Sequence, residues 1–143
     1  MKSVSESSWF FYKSCTVNVG ETGFGGGNPV RIQSMTNTPT ADITSTVAQC
    51  KRIFDAGAEL VRITARNITE AKVLSDIRKQ LTTDGYTQPL AADIHFNPAI
   101  AIEAARRVEK IRVNPGNFVD VFPGKLQYSS SEYTQELEET HKT

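Results

Sequence analysis

The chain is poor in cysteine, has no excess of either charge, and contains no long apolar run. Its two cysteines, Cys15 and Cys50, stand far apart in 143 residues. That spacing fits neither a disulfide framework nor a zinc site and points to a reducing compartment. Sixteen basic and sixteen acidic side chains cancel, so bulk charge selects neither nucleic acid nor an anionic membrane surface, both of which favour a basic partner. No apolar stretch approaches the roughly 18 residues of a membrane span. Trp9-Phe10-Phe11-Tyr12 is too short for a signal-peptide core, and no small-x-small cleavage site follows it. What is present, 38% apolar and 22% charged residues, suits one globular core.

Along the chain the pattern alternates between two periods. Residues 1–28 read as an N-terminal arm and β-hairpin, with Thr16–Val19 alternating like a strand and five glycines between Gly20 and Asn28. From residue 29 to 143 the pattern is that of a partial barrel domain. Val30–Met35 is strand-like. Ile43, Val47, Cys50 and Phe54 form one helical stripe, capped by Asp42 or Thr40 and stopped by Gly57. Glu59–Thr64 is a second strand. Asn67-x-x-Glu70 has the capping pattern before the stripe Val73, Leu74, Ile77, Leu81, and Gly85 ends that unit. Pro89–Ile94 is a third strand, and Asn97-Pro98 opens a helix whose inner face is expected at Ala101, Ala104, Ala105 and Val108. Lys110–Asn114 is a fourth strand, stopped by Pro115-Gly116.

This βαβ repetition predicts an α/β fold with a parallel sheet and right-handed crossovers. An open doubly wound sheet and a (β/α)8 TIM barrel compete. A barrel takes roughly 250 residues, so the barrel reading makes the chain a truncated first half. A helix begun at Ser129-x-x-Glu132 and continued through Tyr133 and Leu137 reaches the last residue with no stop signal, which also reads as a cut.

One internal repeat carries chemistry. Glu59-Leu60-Val61-Arg62-Ile63-Thr64 and Glu109-Lys110-Ile111-Arg112-Val113-Asn114 share the frame Glu-x-(Val/Ile)-Arg-(Ile/Val)-(Thr/Asn). In a barrel, alternate strands feed one interior layer, so Arg62 and Arg112 point inward while Val61, Ile63, Ile111 and Val113 face the helices. Two guanidiniums in one layer need counter-charge. An anionic ligand is one source, since the guanidinium fork suits phosphate or carboxylate. A protein carboxylate for each arginine, or a solvated sheet edge, is the other. Asp93 and His95 share the arginines' side of the third strand and supply an acid and an imidazole. Asn114-Pro115-Gly116-Asn117 can present backbone N–H groups to a phosphate or be an ordinary turn. Gln33, Met35, Thr36 and Asn37 are lining candidates at the end of the first strand. Gly23-x-Gly25-Gly26-Gly27 precedes a strand rather than a helix and is no dinucleotide fingerprint. Cys15 reads as a strand residue and Cys50 as a buried helix-face residue.

Gln33-Ser34-Met35-Thr36-Asn37-Thr38, Gly57–Thr64, Ala92-Asp93-Ile94-His95-Phe96 and Ile111–Asn117 together resemble the 4-hydroxy-3-methylbut-2-enyl diphosphate synthase family of the non-mevalonate isoprenoid pathway, over roughly residues 15–120. Asn117-Phe118 and Tyr133-x-x-x-Leu137 are similar to its longer bacterial and plastid form. The resemblance implies a TIM barrel that holds 2-C-methyl-D-erythritol 2,4-cyclodiphosphate and a C-terminal domain that holds a 4Fe–4S cluster. The cyclic diphosphate is reductively opened to the linear hydroxymethylbutenyl diphosphate, with electrons from ferredoxin or flavodoxin. It assigns diphosphate binding to Arg62, His95 and Arg112, with Asp93 and Asn114 as polar lining. It implies a homodimer when intact, in the bacterial cytoplasm or the plastid stroma; the balanced charge and the lack of a long apolar run lead to the expectation of no nucleic-acid or membrane partner. The family's cluster ligands, three cysteines and a glutamate near the C-terminus, have no match here, so the isolated chain is expected to be inactive. The rival readings are a dihydropteroate-synthase-like barrel and a non-catalytic half-barrel that pairs with a second copy.

Overall fold

The computed structural model describes residues 14–95 and 97–114. The aromatic cluster at 9–12, the turn from Pro115, the helix expected from Ser129, and His141 lie outside them. Strands β1 (Val17–Val19) and β2 (Thr22–Phe24) form an antiparallel hairpin. Then come β3 (Gln33–Met35), α1 (Ile43–Asp55), β4 (Leu60–Ala65), α2 (Ile68–Thr83), β5 (Leu90–Ile94), α3 (Pro98–Ala105) and β6 (Lys110–Arg112).

The sheet order is β3-β4-β5-β6, every pair parallel. A doubly wound sheet reverses its strand order at a switch point; among the described residues this one does not. Helices α1, α2 and α3 pack side by side, each against its neighbour. Sequential strands under one continuous helix layer are the geometry of a partial TIM barrel, with the other sheet face left for the barrel interior.

The core lies between sheet and helices because the two periodicities meet there. Odd-numbered Val61, Ile63 and Ala65 of β4 and even-numbered Leu90, Ala92 and Ile94 of β5 face Val47, Cys50, Phe54, Leu74, Ile77 and Leu81 of the helices. Each fully buried Leu or Ile contributes about 1.5–3 kcal/mol over its exposed state. The helix starts are capped as the residue types require. Asp42 accepts from the Ser45 N–H at 3.0 Å, Asn67 from Glu70 at 2.8 Å and Asn97 from Ala99 at 2.9 Å. The Glu70 carboxylate reaches back to the Arg66 N–H at 2.8 Å, one residue before the cap.

Three expectations shift. Ala105 is exposed and Ile100 is buried in its place, because α3 ends at Ala105 and its inner face runs through Ile100, Ala101 and Ala104. The first barrel strand is shorter than Val30–Met35: Val30 and Ile32 are 96% and 62% exposed, since β3 is the sheet edge among the described residues and nothing there covers its helix side. Cys15 is exposed and precedes β1 rather than lying in it.

The hairpin sits at the N-terminal end of the sheet. Arg31 Nε donates to the Gly23 carbonyl at 2.9 Å, and Lys110 Nζ lies 5.3 Å from the Phe24 ring centroid. Gly25 and Gly26 hold φ of 70° and 59°, and a Cβ on either would collide with Cys15 or Thr16. The glycine run therefore serves a tight turn.

The repeated glutamates do the same job twice. Glu59 accepts from the Ile32 N–H at 3.1 Å and pairs with Arg31 at 2.6 Å; Glu109 accepts from the Leu90 N–H at 2.9 Å and pairs with Arg78 at 3.1 Å. Each carboxylate clasps the start of the preceding strand. The Ile32 N–H first, then Arg31, holds the Glu59 carboxyl below the ordinary range. Half of the repeat is thus scaffold rather than site.

Candidate functional site

On β4 the side chains opposite the helix layer are Arg62 and Thr64; on β5 the partner is Asp93; on β6 it is Arg112. Parallel pairing sets Thr64, Asp93 and Arg112 in one register row and Arg62 opposite Ala91 and Lys110. Arg112 is therefore two residues ahead of Arg62 in register. A shear of 8 over eight strands staggers the sheet by that amount for every two strands. The register offset and the barrel tilt compensate, and the two arginines meet.

They meet on Asp93. Its side chain is 5% exposed, and Arg112 Nη1 donates to Oδ1 at 3.1 Å while Arg62 Nε lies 3.5 Å from Oδ2. Two guanidiniums share one carboxylate and leave a net charge of +1. Arg62 Nε and Nη2 also approach Met35 Sδ at 3.4 and 3.2 Å. His95 Nε2 is 3.8 Å from Asp93 Oδ2. The two sources of counter-charge weighed from the sequence are therefore not exclusive: the arginines converge, and one buried carboxylate partly neutralises both.

Beyond this cluster, at the C-terminal ends of the strands, lies a cleft of about 600 Å³ lined by Thr64, Arg66, His95, Asn97 and Ile100. A smaller one of about 160 Å³ runs from Thr36–Thr40 to Thr64, Arg66 and Glu70. The loop after β3 is pinned to α1 and β4. Gln49 Oε1 accepts from the N–H groups of Asn37 and Thr38 at 3.1 and 3.2 Å, and Thr40 Oγ1 donates to the Thr64 carbonyl at 2.6 Å. The clefts are thus walled by anchored backbone.

The structure brings Arg62, Asp93, His95 and Arg112 together. Asn114 follows β6 at the same strand end, and the rest of its turn is outside the described residues. Met35 touches Arg62, and Thr36 and Asn37 line the smaller cleft; Gln33 lies two residues below and lines neither. Sequence reasoning missed Thr64, Arg66 and Ile100. Thr64 and Arg66 follow Arg62 at the strand period of two, a signal that could have found them.

The GcpE TIM-barrel domain model matches residues 14–142. The chain belongs to the GcpE TIM-barrel family. That membership removes the dihydropteroate-synthase-like alternative. Among curated members, a protein of Phocaeicola vulgatus named 4-hydroxy-3-methylbut-2-en-1-yl diphosphate synthase (flavodoxin) is 52% identical over 130 residues, 88% of this chain and 21% of the relative. A like-named protein of Bacteroides thetaiotaomicron is 48% identical over 136 residues, 94% of this chain and 22% of the relative. A chloroplastic, ferredoxin-named one of Oryza sativa subsp. japonica is 43% identical over 132 residues, 91% and 18%. The chain spans about a fifth of the length of the relatives it matches.

An iron–sulfur cluster does not fit the GcpE residues described here. Cys50 is buried in the helix layer, where burial pushes its thiol up to about 12, and Cys15 is exposed near the hairpin. No group of three His, Cys, Asp or Glu among the described residues could hold a metal ion. No helix among them is long and apolar enough to cross a membrane.

Proposed function

We propose that this GcpE-family chain is part of the substrate-holding barrel of an enzyme that reductively converts 2-C-methyl-D-erythritol 2,4-cyclodiphosphate to 4-hydroxy-3-methylbut-2-enyl diphosphate. One observation carries the reading: Arg62 and Arg112, from alternate strands, converge on a common point beside His95 at the strand C-termini, the end where barrel enzymes bind substrate. Forked donors on a rigid sheet suit a diphosphate, and preorganised positive charge stabilises negative charge without reorganisation.

Within this reading Arg62, Arg112 and His95 bind the diphosphate. Asp93, an anion itself, contacts the guanidiniums rather than the ligand and holds the two of them side by side. Asn114 closes the same rim. Electrons come from flavodoxin or ferredoxin, as the relatives' names have it, by way of a 4Fe–4S cluster that residues outside this chain would hold. The whole enzyme is a homodimer of the cytoplasm or plastid stroma.

The reading is tested by calorimetric titration of the chain with inorganic pyrophosphate. Arg62→Ala and Arg112→Ala should each weaken binding about tenfold or more, the loss expected when a charge-assisted hydrogen bond of about 1.5–3 kcal/mol is removed. Parent-like affinity in both variants would refute the site. The chain alone should not turn over the cyclodiphosphate with any reductant; turnover would refute the division of labour.

A further inference from the structure

The geometry points to a further ligand-contact residue: we propose that Arg66 is the outer cation of this site, gripping the outer phosphate of a diphosphate whose inner phosphate lies on Arg62 and Arg112. The inference rests on the anion-site reading above and deepens it. Arg66 is the first residue after β4 and continues the two-residue spacing of Arg62 and Thr64, so the three run from the open face of the strand out past its C-terminal end. With Thr64 it lines both clefts, the one beside His95 and Asn97 and the one beside Thr36–Thr40, and of the two it alone carries a charge.

Its backbone is held, since its N–H donates to Glu70 Oε2 at 2.8 Å and the following residue caps α2. Its guanidinium makes no ion pair among the described residues, whereas Arg62 and Arg112 share Asp93. The inner arginines are therefore half-neutralised, and the outer one keeps its full charge at the mouth. His95 joins the two levels, with Nε2 3.8 Å from Asp93 Oδ2 and its ring on the wall of the larger cleft.

Four residues of nearly extended chain separate the Arg62 and Arg66 α-carbons by about 13 Å. The long side chains close most of that span from either side, so the two guanidiniums take neighbouring phosphates of one diphosphate rather than the same phosphate. This predicts discrimination: Arg66 matters for a two-phosphate anion and not for a single phosphate.

The experiment titrates inorganic phosphate and inorganic pyrophosphate separately into the chain and its Arg66→Gln, Arg66→Lys and Arg62→Ala variants. Arg66→Gln should weaken pyrophosphate about tenfold, equivalent to 1.4 kcal/mol, and leave phosphate within about twofold. Arg66→Lys should recover part of the loss, because charge remains without the fork. Arg62→Ala should weaken both anions. If Arg66→Gln leaves pyrophosphate unchanged while Arg62→Ala weakens both, the outer cation is refuted and the inner site stands. Equal weakening of both anions by Arg66→Gln also refutes it, since a diffuse field rather than a second contact would be acting. If Arg62→Ala changes neither, or the parent binds neither, the inner site falls and this inference with it.

Discussion

Replacing Asp93 with asparagine should make the protein less stable and, at the same time, a better anion binder. The carboxylate is 5% exposed and lies 3.1 Å from one guanidinium and 3.5 Å from another. A unit pair about 4 Å apart at an effective dielectric of 20 is worth about 4 kcal/mol. The Arg62 and Arg112 side chains are 29% and 42% exposed, so solvent screens much of that and the Arg112 share is discounted most. Asparagine keeps one acceptor for Arg112. A net loss of about 2 kcal/mol follows, below the 3–5 kcal/mol of a fully buried broken pair. With a urea slope of about 1.5 kcal/mol per molar, the unfolding midpoint falls by about 1.3 M. Binding moves the other way. Local charge rises from +1 to +2, and the ligand no longer competes with a resident carboxylate for the same donors, so pyrophosphate affinity should rise about tenfold. Saturating pyrophosphate at about 100 times its dissociation constant should return about 2.7 kcal/mol and restore the variant's midpoint. The assay pairs urea unfolding with calorimetry, each with and without pyrophosphate. An Asp93→Asn protein as stable as the parent, or one that binds pyrophosphate more weakly, would refute the counter-ion role.

The edge clasp makes a pH prediction. The folded Glu59 carboxyl sits below its unfolded value, so its stabilisation is present above the unfolded value, about 4.3, and is lost as pH falls through the folded one. Glu59→Gln should therefore unfold more readily than the parent at neutral pH and match it in strong acid; a constant gap across pH would contradict the argument. Thiol labelling separates the cysteines. Exposed Cys15 should react with an aromatic disulfide reagent in the folded protein, and Cys50, buried and with its thiol pushed up to about 12, only on unfolding; equal rates would refute the packing of α1.

The sequence by itself determined the element order, the helix stripes and caps, and which strand faces meet helices, because these follow from local periodicity and from side chains that satisfy nearby N–H groups. It also put Arg62, Asp93 and Arg112 on one face, since alternation is a property of the strand alone. It could not say that the two arginines share one carboxylate. Arg62 and Arg112 are two positions apart in register, and only the stagger of a tilted sheet brings them to Asp93 together. Nor could the repeat reveal that Glu59 and Glu109 hold neighbouring strands, because their partners at Ile32 and Leu90 come from the strand beside each one. Local chemistry is written in order along the chain, but a shared counter-ion and a clasped edge depend on how strands slide past one another, and that was decided by tertiary packing.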